Sequence, residues 1–410
     1  MTQGSFIRSG LRITRVAALV SFAMAAGAIA DGSGGGAISI PPTVFSNEAE
    51  GALVRALTGL REQGMKTAMA EVDRMLERNP NHKLAHMIQG DLLMARAGKP
   101  VAFAVRGASV ESVSPLKDEA RVRMKRYLDA PPVNYLPAPL LQLSAKQSHV
   151  LLIDTTRSRL FVYANDLGRP RYVTDFYISL GKNGVEKTRE GDQKTPLGVY
   201  TIVSVKDKLP DFYGREAFPI SYPNEWDRAN GRAGHGIWLH GTPSDTYARP
   251  PRATDGCVVL TNEDLARLSK YVDVSRTPVV IGEAIEWRSP EAWERDREGF
   301  LKAFARWKSD WESLDTTRYL ANYSAHFRSK DRDLDSWGAS KRKVNSGKKW
   351  VKIGVNDMSL FAYPGTPGLM MITFEQDYRS NNMSRRTVKR QYWSREGSHW
   401  RIVHETVVNS

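Results

Sequence analysis

The chain has 410 residues, with 59 Lys and Arg against 45 Asp and Glu, a net charge of +14, and a single cysteine. The length predicts two or three domains, and the lone thiol excludes an intramolecular disulfide framework. No His/Asp/Glu grouping shows metal-ligand spacing, so neither a metal centre nor another cofactor is predicted.

Arg8, Arg12 and Arg15 precede the apolar run Val16 to Ala26, and Ala28-Ile29-Ala30 offers small-x-small cleavage chemistry. The run is shorter than the ~20 residues of a membrane span, so residues 1–30 read as a signal peptide. The protein is therefore expected to be exported to the periplasm or cell envelope. There its positive charge meets phospholipid, lipopolysaccharide and wall carboxylates, and not nucleic acid. Residues 31–46, Gly-rich and then Pro-Pro, predict a flexible spacer.

From 47 to 98 the apolar period is helical: Leu53, Ala56, Leu57 and Leu60, then Ala68, Val72, Met75 and Leu76. After the Asn79-Pro80-Asn81 break, Leu84, Met87, Ile88 and Leu92 mark a third helix. Residues 47–128 are expected to form a helical, tetratricopeptide-like subdomain with its linker. Pro131, Pro132, Pro137 and Pro139 punctuate an extended link into a mainly β region. His149 to Asp154 and Arg159 to Tyr163 predict a hairpin, Tyr177 to Leu180 a strand, and Thr195 to Tyr200 a turn feeding a strand. Gly236 to Leu239 predicts a buried strand ending at His240. Thr261 and Asp264 predict a capped helix over 262–271, and Pro278 to Ile281 a last strand. Beyond Pro290 the aromatic stripe Trp293, Phe300, Phe304, Trp307, Trp311 predicts a long amphipathic helix. Four strand-like segments follow, at 350–361, 369–378, 387–394 and 400–407. The dense run Lys341-Arg342-Lys343 reads as a solvated face.

Cys257 is the natural candidate for chemistry. A free thiol is a liability in an oxidising compartment, Gly256 lets another backbone approach it closely, and His240 sits at a strand end where reactive groups are presented. An imidazole can generate the nucleophilic thiolate, and a thiol pKa below the free value of ~8.5 is expected. His235 is the rival base. Five residues away on an extended strand, it is expected to face the other side.

His240-Gly241, then Thr254-Asp255-Gly256-Cys257, with the upstream Gly181-Lys182-Asn183-Gly184 and Lys194-Thr195-Pro196-Leu197-Gly198 blocks, resemble the L,D-transpeptidases of the YkuD type over residues 146–283. Thr254 stands where the family has Ser, Asp255 where many members have His, and Val259 where Arg or Asn is common. Residues 288–410 resemble a nuclear-transport-factor-2-like cone, a combination similar to the Cds6 group. The implied fold class is α+β and multidomain: N-terminal helical hairpins, a mainly-β catalytic domain and a C-terminal α+β cone. The implied activity is transpeptidation of peptidoglycan stem peptides through a Cys257 thioester. Hydrolysis by the same pair, as an L,D-carboxypeptidase or endopeptidase, and a non-catalytic wall-binding scaffold are the alternatives. The resemblance assigns His240 as proton donor and acceptor, and the Gly241 carbonyl as its orienter. The backbone of Asp255 and Gly256, with that of Cys257, is expected to form an oxyanion hole, and Arg252 and Thr254 to contact substrate. Asp255 is expected to steer an acceptor ammonium. The helical and C-terminal domains are expected to serve contacts with other envelope proteins.

Overall fold

The computed structural model describes residues 48–62, 64–99, 110–132, 134–330 and 332–408. The expected signal peptide and spacer lie outside these residues. No helix among the described residues is long and apolar enough to cross a membrane.

Three helices, Glu48–Glu62, Met65–Arg78 and Lys83–Arg96, follow the predicted period. They bury Leu53, Ala56, Ala68, Val72, Met75, Leu84 and Ile88 in one small core. Asn79-Pro80-Asn81 makes the turn before the third helix, where the His82 N–H donates to the Asn79 carbonyl at 3.1 Å. A fourth helix, Val110–Leu128, was not resolved by periodicity. Its inward side includes Glu119, Arg123 and Arg126, all buried, so hydropathy shows no stripe there.

The central domain is built on a five-stranded sheet in the order Arg169–Tyr177, Arg159–Asp166, His149–Asp154, Pro278–Gly282, Gly198–Thr201. The predicted hairpin is present, with Asp154 opposite Arg159. Pro278–Gly282 is an interior strand, parallel to His149–Asp154 and antiparallel to Gly198–Thr201. All five of its residues are buried, which is why it reads as an unbroken apolar run. The strand expected at 177–180 is divided. Arg169–Tyr177 stays in this sheet, and Leu180–Gly181 pairs in parallel with Arg252–Thr254. Between them, Ser179 exchanges both backbone hydrogen bonds with Val259, carrying the chain to the second layer.

That second layer is a three-stranded sheet ordered Val258–Val259, Trp238–His240, Ala217–Pro219. Leu151, Ile153, Leu160, Phe176, Leu239, Val258 and Ile281 share the core between the two layers. Thr261 Oγ1 accepts from the Asp264 N–H and starts the helix Asn262–Leu268; Ser269–Tyr271 continue as a 3₁₀ turn.

The C-terminal unit is a six-stranded sheet held by the helix Pro290–Glu312. The aromatic stripe is core: Trp293, Phe300, Phe304, Trp307 and Trp311 pack with Phe374 and Trp393. A strand at Tyr323–Arg328 and a helix at Leu334–Asn345 were not anticipated. Nor was the sixth strand, Leu140–Gln142, which comes from the proline-rich link and pairs with Val351–Ala362. A shared core places Val150, Leu152 and Phe161 of the central sheet against Phe361, Met371 and Tyr392 of the cone.

Candidate active site

His240 ends the middle strand of the three-stranded sheet, opposite Ala217 on one side and Val259 on the other. Cys257 immediately precedes Val258–Val259, the strand that pairs in parallel with Leu239 and His240. His240 Nδ1 lies 2.7 Å from the Gly241 carbonyl oxygen. With the N–H of the neutral ring on Nδ1, Nε2 is left as the acceptor. Burial, with the charge of Arg249, overrides the Gly241 carbonyl and pushes His240 down to about 4, so the ring is neutral at pH 7. Tyr213 meets the imidazole edge-on at 5.1 Å, and the Tyr213 carbonyl accepts the Gly241 N–H at 3.0 Å. A Cβ at position 241 would lie 2.0 Å from Asn262 Oδ1, so any larger residue would displace that side chain, whose Nδ2 donates to the Thr242 carbonyl at 2.9 Å.

The nucleophile turn is closed by Thr254. Its Oγ1 donates to the Cys257 carbonyl at 2.7 Å and accepts the Gly256 N–H at 3.1 Å. Gly256 has φ +123°, and a Cβ there would lie 2.6 Å from the Lys194 carbonyl oxygen. Thr195, from the upstream Thr-Pro element, donates its hydroxyl to the Gly256 carbonyl at 3.0 Å. The Gly256 N–H is thus engaged by Thr254, whose side chain builds the turn.

Cys257 is half-buried, and its thiol donates to the Gly236 carbonyl at 3.3 Å. Burial pushes the thiol up; the Trp238 N–H pulls it down, Asp255 pushes it up, and Arg249 and Lys187 pull it down. The net direction is upward, opposite to the expected depression. A neutral imidazole exerts no field to stabilise a resting thiolate, so desolvation wins. Arg249 and Lys187 escaped the sequence reading because neither stands within the motif; only folding brings them to the sulfur. Asp255 is 74% exposed and paired with Lys182 at 3.0 Å. Arg252 is exposed on the strand before the turn.

His235 does lie away from the pair, but for another reason than strand alternation. The strand begins at Trp238, and Gly234 and Gly236 both have positive φ. The loop leaves the His235 side chain 78% exposed, 3.1 Å from Glu190.

Residues 148–281 match the family model of the L,D-transpeptidase catalytic domain, and residues 299–406 that of the Cds6 C-terminal NTF2-like domain. The chain joins an L,D-transpeptidase catalytic domain to a Cds6-type cone. YafK of Escherichia coli K12, named as an L,D-transpeptidase, is 31% identical over 86 residues. That match spans 21% of this chain and 31% of YafK, so the chain covers about a third of its curated relative. Two solved structures are similar over about two thirds of the chain. Bd1075 of Bdellovibrio bacteriovorus has a TM-score of 0.60 at 25% identity, covering 67% of this chain and 99% of that one. The helical cell shape determining protein Pgp2 of Campylobacter jejuni has a TM-score of 0.57 at 27% identity, covering 66% and 95%. Neither L,D-transpeptidase nor cone model reaches the helices at 48–128.

Proposed function

We propose that this chain is an exported, cysteine-dependent L,D-transpeptidase acting on peptidoglycan stem peptides in the cell envelope. The observation that carries the reading is the parallel pairing of the strand directly after Cys257 with the strand that ends at His240, whose Nδ1 is tied to its own glycine carbonyl. Nε2 takes the thiol proton as sulfur attacks the carbonyl between the L-centre and the D-residue. The C–N bond breaks, the departing D-amino acid takes that proton on its amine, and a thioester to Cys257 remains. An amine of a second stem resolves it to a crosslink and regenerates the thiol. With Gly256 engaged, the amides of Cys257 and Asp255 are the oxyanion donors, worth ~3–4 kcal/mol each in comparable sites.

The Lys182–Asp255 pair favours a second reading, hydrolysis of the same thioester. An aspartate already neutralised by an ammonium draws a second one weakly, which undercuts the expected steering of an acceptor amine. Mass spectrometry of purified muropeptides incubated with the mature chain tests both. Cys257→Ala and His240→Ala are each expected to abolish product with melting behaviour intact, and His235→Ala to stay near wild type. Turnover surviving either of the first two overturns the assignment. Trimmed monomer without crosslinked dimer selects hydrolysis.

A further inference from the structure

The loop between the two candidate catalytic residues, 242–251, is held on its outer side by the helical subdomain. The Tyr247 ring lies 4.4 Å from the His82 ring and packs on the helical core. Two residues on, the Arg249 carbonyl accepts the Tyr177 hydroxyl at 2.8 Å. The Tyr177 ring is in turn covered by the Arg123 guanidinium, 3.8 Å above its centroid. Arg123 is itself fixed by Glu119 at 2.9 Å and by Glu50 of the first helix. The loop end so pinned carries the Arg249 side chain, whose guanidinium lies 4.6 Å over the Phe212 ring, and that ring is 6.2 Å from His240.

We propose that the helical subdomain works on the reaction by clamping this loop, with His82, Arg123 and Tyr177 as positioning residues for Arg249, the cation that the loop holds at the candidate site. The proposal rests on the reading of Cys257 as nucleophile. Its physical content is that a guanidinium on an unpinned loop spreads over many positions and screens into solvent, whereas a pinned one keeps its field on the sulfur. Arg249 pulls down both the Cys257 thiol and the His240 imidazole, so the clamp acts on the thiolate population and not on the strength of the base.

The single cysteine makes the test direct, because iodoacetamide alkylation of the full chain reports Cys257 alone. The pH midpoint of alkylation is measured for wild type, Arg249→Gln, Tyr177→Phe, His82→Ala and the Tyr177→Phe/Arg249→Gln pair, with thermal melting alongside. Arg249→Gln is expected to slow alkylation at pH 7 about tenfold, the equivalent of one unit of thiol pKa. Tyr177→Phe keeps the ring under Arg123 and removes only the hydroxyl. It and His82→Ala are expected to shift the midpoint in the same direction, about threefold in rate. The double variant is expected to match Arg249→Gln, because both changes act through one group. Midpoints that stay at the wild-type value in Tyr177→Phe and His82→Ala, or a double variant whose shift is the sum of its parts, overturn the clamp. Muropeptide turnover by wild type is scored separately. Its absence defeats the transpeptidase reading, while an unmoved midpoint in an active enzyme defeats the clamp alone.

Discussion

The catalytic domain meets its two neighbours through junctions of different chemistry. Toward the cone the contact is mainly apolar: Val150, Leu152, Phe161 and Val280 pack on Phe361, Met371 and Tyr392, with a paired strand alongside and one enclosed ion pair, Glu225 with Arg390 at 2.9 Å. Toward the helices it is ionic. Glu50 is gripped by Arg123 and Arg159, Arg126 pairs with Asp175 at 2.7 Å, and all of these side chains are nearly inaccessible. Burial alone would raise the Glu50 carboxyl, but Arg159 and Arg123 outweigh it and hold Glu50 below the usual range. An apolar junction welds two units because hydrophobic contact tolerates small misfits. A buried ionic one demands every partner at once, since desolvation is compensated only when all the charges are matched. The central and C-terminal units are therefore expected to behave as one cooperative body, and the helical unit as a docked part that specific perturbations can release.

The contrast can be broken from either side. Phe361→Ala is expected to cost about 3–5 kcal/mol of unfolding free energy, by opening a cavity where the two sheets meet. Denaturant unfolding checks this, and the central and C-terminal units should lose structure in one transition. Two well-separated transitions would contradict the single body. Glu50→Gln is expected to cost about 3 kcal/mol, because Arg123 and Arg159 lose a shared countercharge in a dry setting. The loss should fall on the docking of residues 48–128, seen as proteolysis in the helices before any in the catalytic sheet. Acid provides a third probe. Burial pushes His82 down to about 3 and His240 down to about 4, from 6.5. Between pH 6.5 and 4 these two imidazoles therefore bind more protons in the unfolded chain than in the folded one. This contribution is fully present above that window and drains away as pH falls through it, by about 3 kcal/mol per imidazole at pH 4.5. Thermal melts at pH 7.5 and 4.5 should show this, with His82→Gln losing part of the difference.

The same contrast explains what was legible in the sequence. Cys257, His240 and the flanking glycines stand in short, local patterns whose spacing survives in one dimension. The cone's aromatic stripe and long strands were equally plain, because apolar periodicity reports burial. The fourth helix was not, since Glu119, Arg123 and Arg126 are buried as charges and periodicity reads charge as surface. Lys341 shows the same failure in the cone. Within a run that reads as solvated, its ammonium sits 4.4 Å from the Trp337 ring, and burial pushes it down to about 8. The thiol's upward shift and the engagement of Gly256 by Thr254 depend on enclosure and on one side-chain rotamer. Neither has a one-dimensional signature.

The strand Leu140–Gln142 makes the order of synthesis matter. It precedes the catalytic domain, yet it lies at the edge of the sheet whose partner strand, Val351–Ala362, is roughly two hundred residues later. In topological terms the catalytic domain is an insertion, carried between the first and second contributions to its neighbour's sheet. A chain emerging amino end first must keep that segment unpaired until most of the polypeptide has followed, so the joint is among the last parts to form. A fragment starting at residue 148 would retain every residue matched by both family models and still leave Val351–Ala362 with an open edge, a template for the same edge on another molecule.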